Sequence, residues 1–481
     1  MSRVRVASAA CVVALLAGCG GGAGGGASGG SSAPPVASGN PAPGVASFTL
    51  KDVSVAPYAV WNDDVDHPIT VTARTANTTG NIQLTLSYFD GLVGGSGAQI
   101  TAPMYDDGTH GDAVAHDGVW TLTFALGIAP PTALRLYDGR VDAVSISITA
   151  ASGDATVPPV NSIDANVDLA IVDRALENDY PVRAIDAHTQ ATDTLVNIVD
   201  PAFDETHLER TLQTLYRLIP GDPFDFAVLF RTRTTGDGVP RSVGVKNNVG
   251  GINVSAFDYT ANYGSAGRLQ QVVYQNAHVL GLETNHEIGH RWAAYLHAPA
   301  LDLSLPTGFH WGPSNHVGQM GNGPYLQEEA GGYRITNADD SQNFVINAFS
   351  NLELYLMGLA RPDEVQPLRF VTDPSVDVQF GALLPAASTR LVTIDDIIAL
   401  YGERAPAMDA SQNAFTAAFV VVSDRLLTQP EWTLSSHIAH YAGGASLGGK
   451  RSGGLFDALD PPSFSAATGH RASLETTLPV F

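Results

Sequence analysis

The sequence predicts an α+β chain in two parts, an all-β sandwich over residues 48–157 followed by a larger mixed domain over 160–481. Three observations predict it. Apolar side chains recur at every second position in several short runs before Pro158, as half-buried strands require. Beyond Pro159 the spacing lengthens to three and four residues, as it does in helices lying on a core. The 481 residues are 44% apolar and only 15% charged, which excludes a disordered chain, and at about 150 residues per domain they allow two parts if one is large.

Arg3 and Arg5 precede an apolar run, Ala9 to Leu16, that is too short to span a bilayer and ends in Leu16-Ala17-Gly18-Cys19. That is the shape of a signal peptide over 1–18. The Cys directly after two small residues resembles the lipobox of bacterial lipoproteins. By that resemblance Cys19 becomes the lipidated N-terminus and the protein is extracytoplasmic, held at a membrane only through lipid. Gly20 stands where an Asp would signal inner-membrane retention, which implies the outer membrane or cell surface. The rest of 19–47 is almost entirely Gly, Ala, Ser, Pro, Asn and Val, a flexible linker that cannot bury enough apolar area to order itself. With Cys11 removed by cleavage, Cys19 has no partner for a disulfide and no Cys-rich metal centre is available. No later run reaches about 20 consecutive apolar residues, so the chain is anchored and does not span.

The sandwich is predicted from Ile82, Leu84, Leu86 and Tyr88, from Trp120, Leu122, Phe124 and Leu126, and from Val144, Ile146 and Ile148. Asn77-Thr78-Thr79-Gly80 and Gly94-Gly95-Ser96-Gly97 supply turns. Strands of this number in about 100 residues suit an immunoglobulin-like module. Within it, Asp106, Asp107, Asp112 and Asp117 lie in an Asp-Gly-rich loop similar to those of bacterial immunoglobulin-like domains. Four carboxylates so close are held either by turn chemistry alone or by a hard cation such as Ca²⁺.

In the second part, Leu208, Leu212, Leu215 and Ile219 share one helical face, with Asp204 as N-cap and Pro220-Gly221 as the stop. Phe224 to Phe230 reads as a buried strand and Val243 to Ile252 as an edge strand. Thr393 to Tyr401 reads as a helix, Thr393 and Asp396 having capping-box spacing, and the run Phe415 to Leu427 as another.

The chemistry concentrates in Leu280-Gly281-Leu282-Glu283-Thr284-Asn285-His286-Glu287-Ile288-Gly289-His290, which contains His-Glu-x-x-His. On a helix, residues i and i+4 share a face, so His286 and His290 can bind one Zn²⁺ at about 2.0 to 2.1 Å. Glu287 sits one position round, where it serves as general base toward a zinc-activated water. Chance matches in a chain of this composition number roughly 0.01. Leu280 and Leu282 before the motif, and Ile288, Trp292, Ala293 and Leu296 in and beyond it, permit a buried helix, and Gly289 implies that something approaches its face closely.

This segment resembles the zincin superfamily of zinc metallopeptidases. The resemblance implies a zincin-like catalytic domain over 160–481, with the motif helix under a twisted sheet whose edge strand binds substrate backbone. It also implies a third protein ligand and a fourth position for water. The chain departs from the metzincin pattern, because Ala293 and Leu296 stand where Gly and His would, and His297 misses by one. Two candidates follow downstream. Glu353 is the one carboxylate in the apolar, helical run Leu352 to Leu359, and burying it demands a cation or a donor network, which favours the gluzincin-like set of two His and a distant Glu. His310, in Gly308-Phe309-His310-Trp311, is the alternative ligand, or a histidine that binds the oxyanion. Tyr355 is a further candidate oxyanion donor, and otherwise a buried Tyr satisfied by backbone. Glu283, one turn before Glu287, either orients a zinc histidine or lies on a solvated face.

The composition limits the partners. Lys and Arg number 25 against 48 Asp and Glu, a net charge of -23, and Lys occurs only at Lys51, Lys246 and Lys450, which excludes a nucleic-acid partner. The expected function is a lipid-anchored zinc metalloendopeptidase acting on protein or peptide substrates. The alternative is a non-catalytic adhesion or glycan-binding lipoprotein on the same scaffold, which the presence of Glu287 disfavours.

Overall fold

The computed structural model describes residues 49–64, 66–76, 82–89, 99–127, 137, 139–152, 160–233, 240–277, 283–298, 300–304, 309–316, 318–320, 325–336, 348–371, 378–444 and 462–479. The expected signal peptide over 1–18, Cys19 and the expected linker, the expected turns at 77–80 and 94–97, and Leu280 and Leu282 lie outside them.

The first part is two packed sheets. Strands β1 (Thr49–Ala56), β3 (Ile69–Ala76) and β6 (Val119–Phe124) form one, in the order β1-β3-β6. The other runs β2 (Ala59–Trp61), β8 (Val160–Val172), β7 (Val141–Ser152), β4 (Ile82–Phe89), β5 (Gln99–Pro103). Alternation explains both, since Val53, Val55, Ile69 and Val71 in the first and Leu84, Leu86, Val144, Ile146 and Ile148 in the second are buried. One boundary moves. β8 was expected to open the second part, but it pairs antiparallel with β7 and parallel with β2, so the first part reaches Val172.

The second part is built on an eight-stranded mixed sheet. After β9 (Arg183–Ala184), β10 (Thr189–Ala191) and β11 (Leu195–Val199), helix α1 (Leu208–Leu218) crosses to β12 (Phe226–Arg231). There follow β13 (Arg241–Gly244), β14 (Gln271–Asn276), α2 (Thr284–Gly289), α3 (Asn351–Met357) and α4 (Ile394–Tyr401). The chain then returns to the sheet in β15 (Ala414–Ser423), α5 (Gln429–Gly443), α6 (Phe464–Ala467) and β16 (Ser473–Glu475). Spatially the order is β13-β14-β12-β15-β11-β10-β9, with β16 also alongside β15. The four central strands are parallel, while β13 runs antiparallel to β14 at one edge.

The expected helix over Phe415 to Leu427 is therefore β15, the middle strand of the sheet. Ala417, Phe419 and Val421 face one apolar layer, and Ala418, Val420 and Val422 face the layer under α1. A strand covered on both faces is apolar without alternation, so period could not separate it from a buried helix. The α1 face formed by Leu208, Leu212, Leu215 and Ile219 is buried as expected, though Asp204 caps a short 3-10 turn that leads into the helix.

The first layer continues without a break from the two packed sheets into the second part. A polar clasp closes the seam. The Tyr58 backbone N–H donates to Glu431 Oε1 at 2.9 Å, Tyr58 Oη bonds Ser435 Oγ at 2.8 Å, and Arg425 holds both Glu431 oxygens at 2.7 and 2.8 Å. The fold is mixed α+β, dominated by sheet. No helix among the described residues is long and apolar enough to cross a membrane.

Candidate metal centre

The motif helix is short. α2 ends at Gly289, with His290 as its C-cap, and the chain tightens through Arg291 N–H to Ile288 O and Trp292 N–H to Gly289 O before Ala294 adopts φ 68°. The expected helix through Leu296 therefore stops early, for Gly289 costs about 1 kcal/mol against Ala and Ala294 sits in the left-handed region. The turn that matters survives. His290 N–H reaches His286 O at 3.3 Å, which sets both imidazoles on one side of α2.

His310 joins them. The rings of His286, His290 and His310 form a nearly equilateral triangle, with centroids 4.9, 5.1 and 5.2 Å apart, and one ligand atom of each lies within 4.8 Å of the others. All three residues are buried. Burial, and next the neighbouring His310, push the His286 imidazolium down to about 3. Burial alone takes His310 to about 4, and burial followed by the charges of His286 and His310 carries His290 well below the ordinary range. The three rings are neutral at pH 7, the form in which imidazole binds a metal.

Tautomer completes the fit. His286 Nδ1 lies 2.7 Å from the Gln319 carbonyl oxygen, so it carries the proton and Nε2 presents a lone pair. That lone pair points toward His310 Nε2 at 3.1 Å. Three neutral imidazoles whose ligand atoms lie this close together form a donor set that can hold a metal ion. A carbonyl behind one ligand is the usual means of orienting it.

Glu353 is not in this group. Its carboxylate accepts Trp311 Nε1–H at 3.1 Å and Met320 N–H at 2.7 Å on Oε1, and Gln319 N–H at 3.0 Å and Ser350 N–H at 2.8 Å on Oε2. Burial raises its pKa against the pull of these four donors. Of the two partners that could satisfy a buried Glu, the donor network is the one present, and the gluzincin-like set gives way to three histidines.

The other candidates separate in the same way. Glu287 is fully buried on α2, and its carbonyl accepts from Gln271 Nε2 at 3.0 Å. Glu283 precedes α2 and is half-buried; burial lifts its carboxyl to about 7, and its Oε2 is enclosed with no hydrogen-bond partner among the described residues. Tyr355 Oη accepts the Arg404 N–H at 3.0 Å, the backbone-satisfied outcome for a buried Tyr. Tyr295, which sequence reasoning missed, donates its hydroxyl to the His290 carbonyl, and its pKa of about 12 reflects burial first and the charges of Arg291 and Glu287 next. The close approach anticipated at Gly289 is made by Phe349 and Met320, whose atoms a Cβ there would meet at 2.9 and 3.0 Å.

In the Asp-rich loop, Asp106, Asp112 and Asp117 come together while Asp107 turns away to Thr109. Asp106 accepts Asp117 and Gly118 N–H, and Asp112 accepts Gly108 N–H, which is turn chemistry.

Comparisons of the chain with protein-family models, with curated proteins and with solved structures found no match.

Proposed function

We propose that the chain is a zinc metallopeptidase, extracytoplasmic and lipid-anchored through Cys19, in which His286, His290 and His310 hold the metal and Glu287 is the general base. The observation that carries this reading is the convergence of three buried, neutral imidazoles beside the glutamate of a His-Glu-x-x-His helix. Zinc, when bound, supplies Lewis-acid polarisation of a carbonyl and lowers the pKa of water. The remaining work belongs to the chain. Glu287 removes a proton from the attacking water and delivers it to the leaving amine. The Gln319 carbonyl keeps the His286 proton on Nδ1, and the His290 carbonyl is held by Tyr295 Oη.

The zincin-like and immunoglobulin-like assignments belong to the same proposal. In support of the first, β13 is an antiparallel edge strand that touches α2, the arrangement that suits pairing with an extended substrate. In support of the second, the first part is two sheets whose buried residues share one apolar core.

The test is zinc content by elemental analysis together with cleavage of an unstructured protein such as casein. The parent should carry one zinc and cleave, while Glu287→Gln should keep its zinc and lose about 10²- to 10⁴-fold in rate. Failure to load zinc, or full activity of Glu287→Gln, overturns the proposal.

A further inference from the structure

We propose that Glu353 is a positioning residue of the metal centre, setting His310 and His286 through Trp311, Gln319 and Met320 while binding no metal itself. The inference rests on the zinc-site reading above and deepens it. Its basis is a connection that can be followed atom by atom.

Trp311 directly follows His310, and Gln319 carries the carbonyl that fixes the His286 tautomer. The Glu353 carboxylate binds both places, through Trp311 Nε1–H at one end and through Gln319 and Met320 N–H at the other. Trp311 N–H also donates to Met320 O at 3.0 Å, so the two ends are joined directly as well. One carboxylate thereby governs where His310 stands and where the Gln319 carbonyl points.

The packing around the carboxylate leaves it little freedom. A Cβ on Gly318 would lie 2.2 Å from Glu353 Oε2, so glycine is the residue that lets the carboxylate seat against the backbone. On its own helix Glu353 closes a capping box with Ser350, whose Oγ also bonds His316 Nε2 at 2.6 Å. The carboxylate is therefore fixed from α3 on one side and from Trp311, Gln319 and Met320 on the other. Support of this kind behind metal ligands is worth about 10- to 100-fold in metal affinity.

The experiment measures the zinc Kd of the full chain by chelator competition and the visible absorption of the Co²⁺-substituted protein. Glu353→Gln places an NH₂ against two of the four N–H donors, and Trp311→Phe removes one donor while leaving three. Both should weaken zinc binding, Glu353→Gln by about 10- to 100-fold and Trp311→Phe by about tenfold, and both should alter the Co²⁺ bands. Thr393→Ala, which removes the remote cap of α4, should lower stability with no change in Kd. If Glu353→Gln does not fold, Trp311→Phe carries the test. A Kd within about twofold of the parent and unchanged Co²⁺ bands in both variants would overturn the positioning role; zinc loss in His290→Ala would then leave the zinc site standing. A parent that binds no zinc removes both readings together.

Discussion

His286 Nδ1 and the Gln319 carbonyl oxygen stand 2.7 Å apart, on the side of the ring away from His310. A main-chain oxygen 33 positions downstream thus decides which histidine nitrogen is free to bind a metal. No side chain at position 319 is needed for it.

His310 should behave as a ligand. His310→Ala should lose zinc as completely as His290→Ala after dialysis against a mild chelator, while Glu353→Asp, which keeps an acceptor near the same donors, should retain part of it. Full zinc occupancy in His310→Ala would remove that residue from the site.

Gly318 should tolerate no side chain. The methyl of Gly318→Ala would occupy the space of the Glu353 carboxylate, and overpacking of this kind costs typically about 1–3 kcal/mol. Urea unfolding of the metal-free protein measures it, and an unchanged midpoint would show that the carboxylate has another place to go.

Glu431→Ala should be among the most damaging changes remote from the metal site. It leaves the partly exposed Arg425 without its carboxylate and the buried Tyr58 N–H without its acceptor, and an unpaired buried donor costs about 1–3 kcal/mol. Because the loss falls on the seam, proteolysis near β1 and β2 should accelerate, and an unaltered digestion pattern would count against the clasp.

Acid should destabilise the metal-free protein. Burial lowers His316 and His437 from 6.5 to about 4, so below about pH 6.5 the unfolded chain takes up protons that the native chain refuses. Stability is then fully present above that pH and declines toward pH 4, by at most about 1.4 kcal/mol per pH unit for each histidine. Glu283 opposes part of this between about pH 7 and 4.5, because its raised pKa favours the protonated native state there. Urea midpoints at about pH 7.5 and about pH 5 should differ, and His437→Gln should shrink the difference. Equal midpoints in the parent would refute the assignment.

Local signals were legible in the sequence where one stretch of chain contains the whole interaction. The i,i+4 turn of His286 and His290, the Thr393–Asp396 capping box and the alternation of β4 and β7 are of this kind. The same signal stood at Ser350-Asn351-Leu352-Glu353, a capping box that explains a buried glutamate without any metal. His310 could not be ranked in this way, since its partners lie 20 and 24 residues away and no local spacing relates it to them. β15 and β8 were misplaced for the matching reason. Burial on both faces erases the period of β15, and the partner of β8 lies across 153–159, where Pro158-Pro159 reads as a division between the two parts.

The uninterrupted apolar layer between the two parts also bears on orientation. Two bodies joined by a loose tether would let a reactive centre sample every direction. Here a constraint applied at Thr49 is passed through β1, Tyr58 and Glu431 to the sheet that supports α2. Whatever holds β1 therefore also aims the histidine cluster.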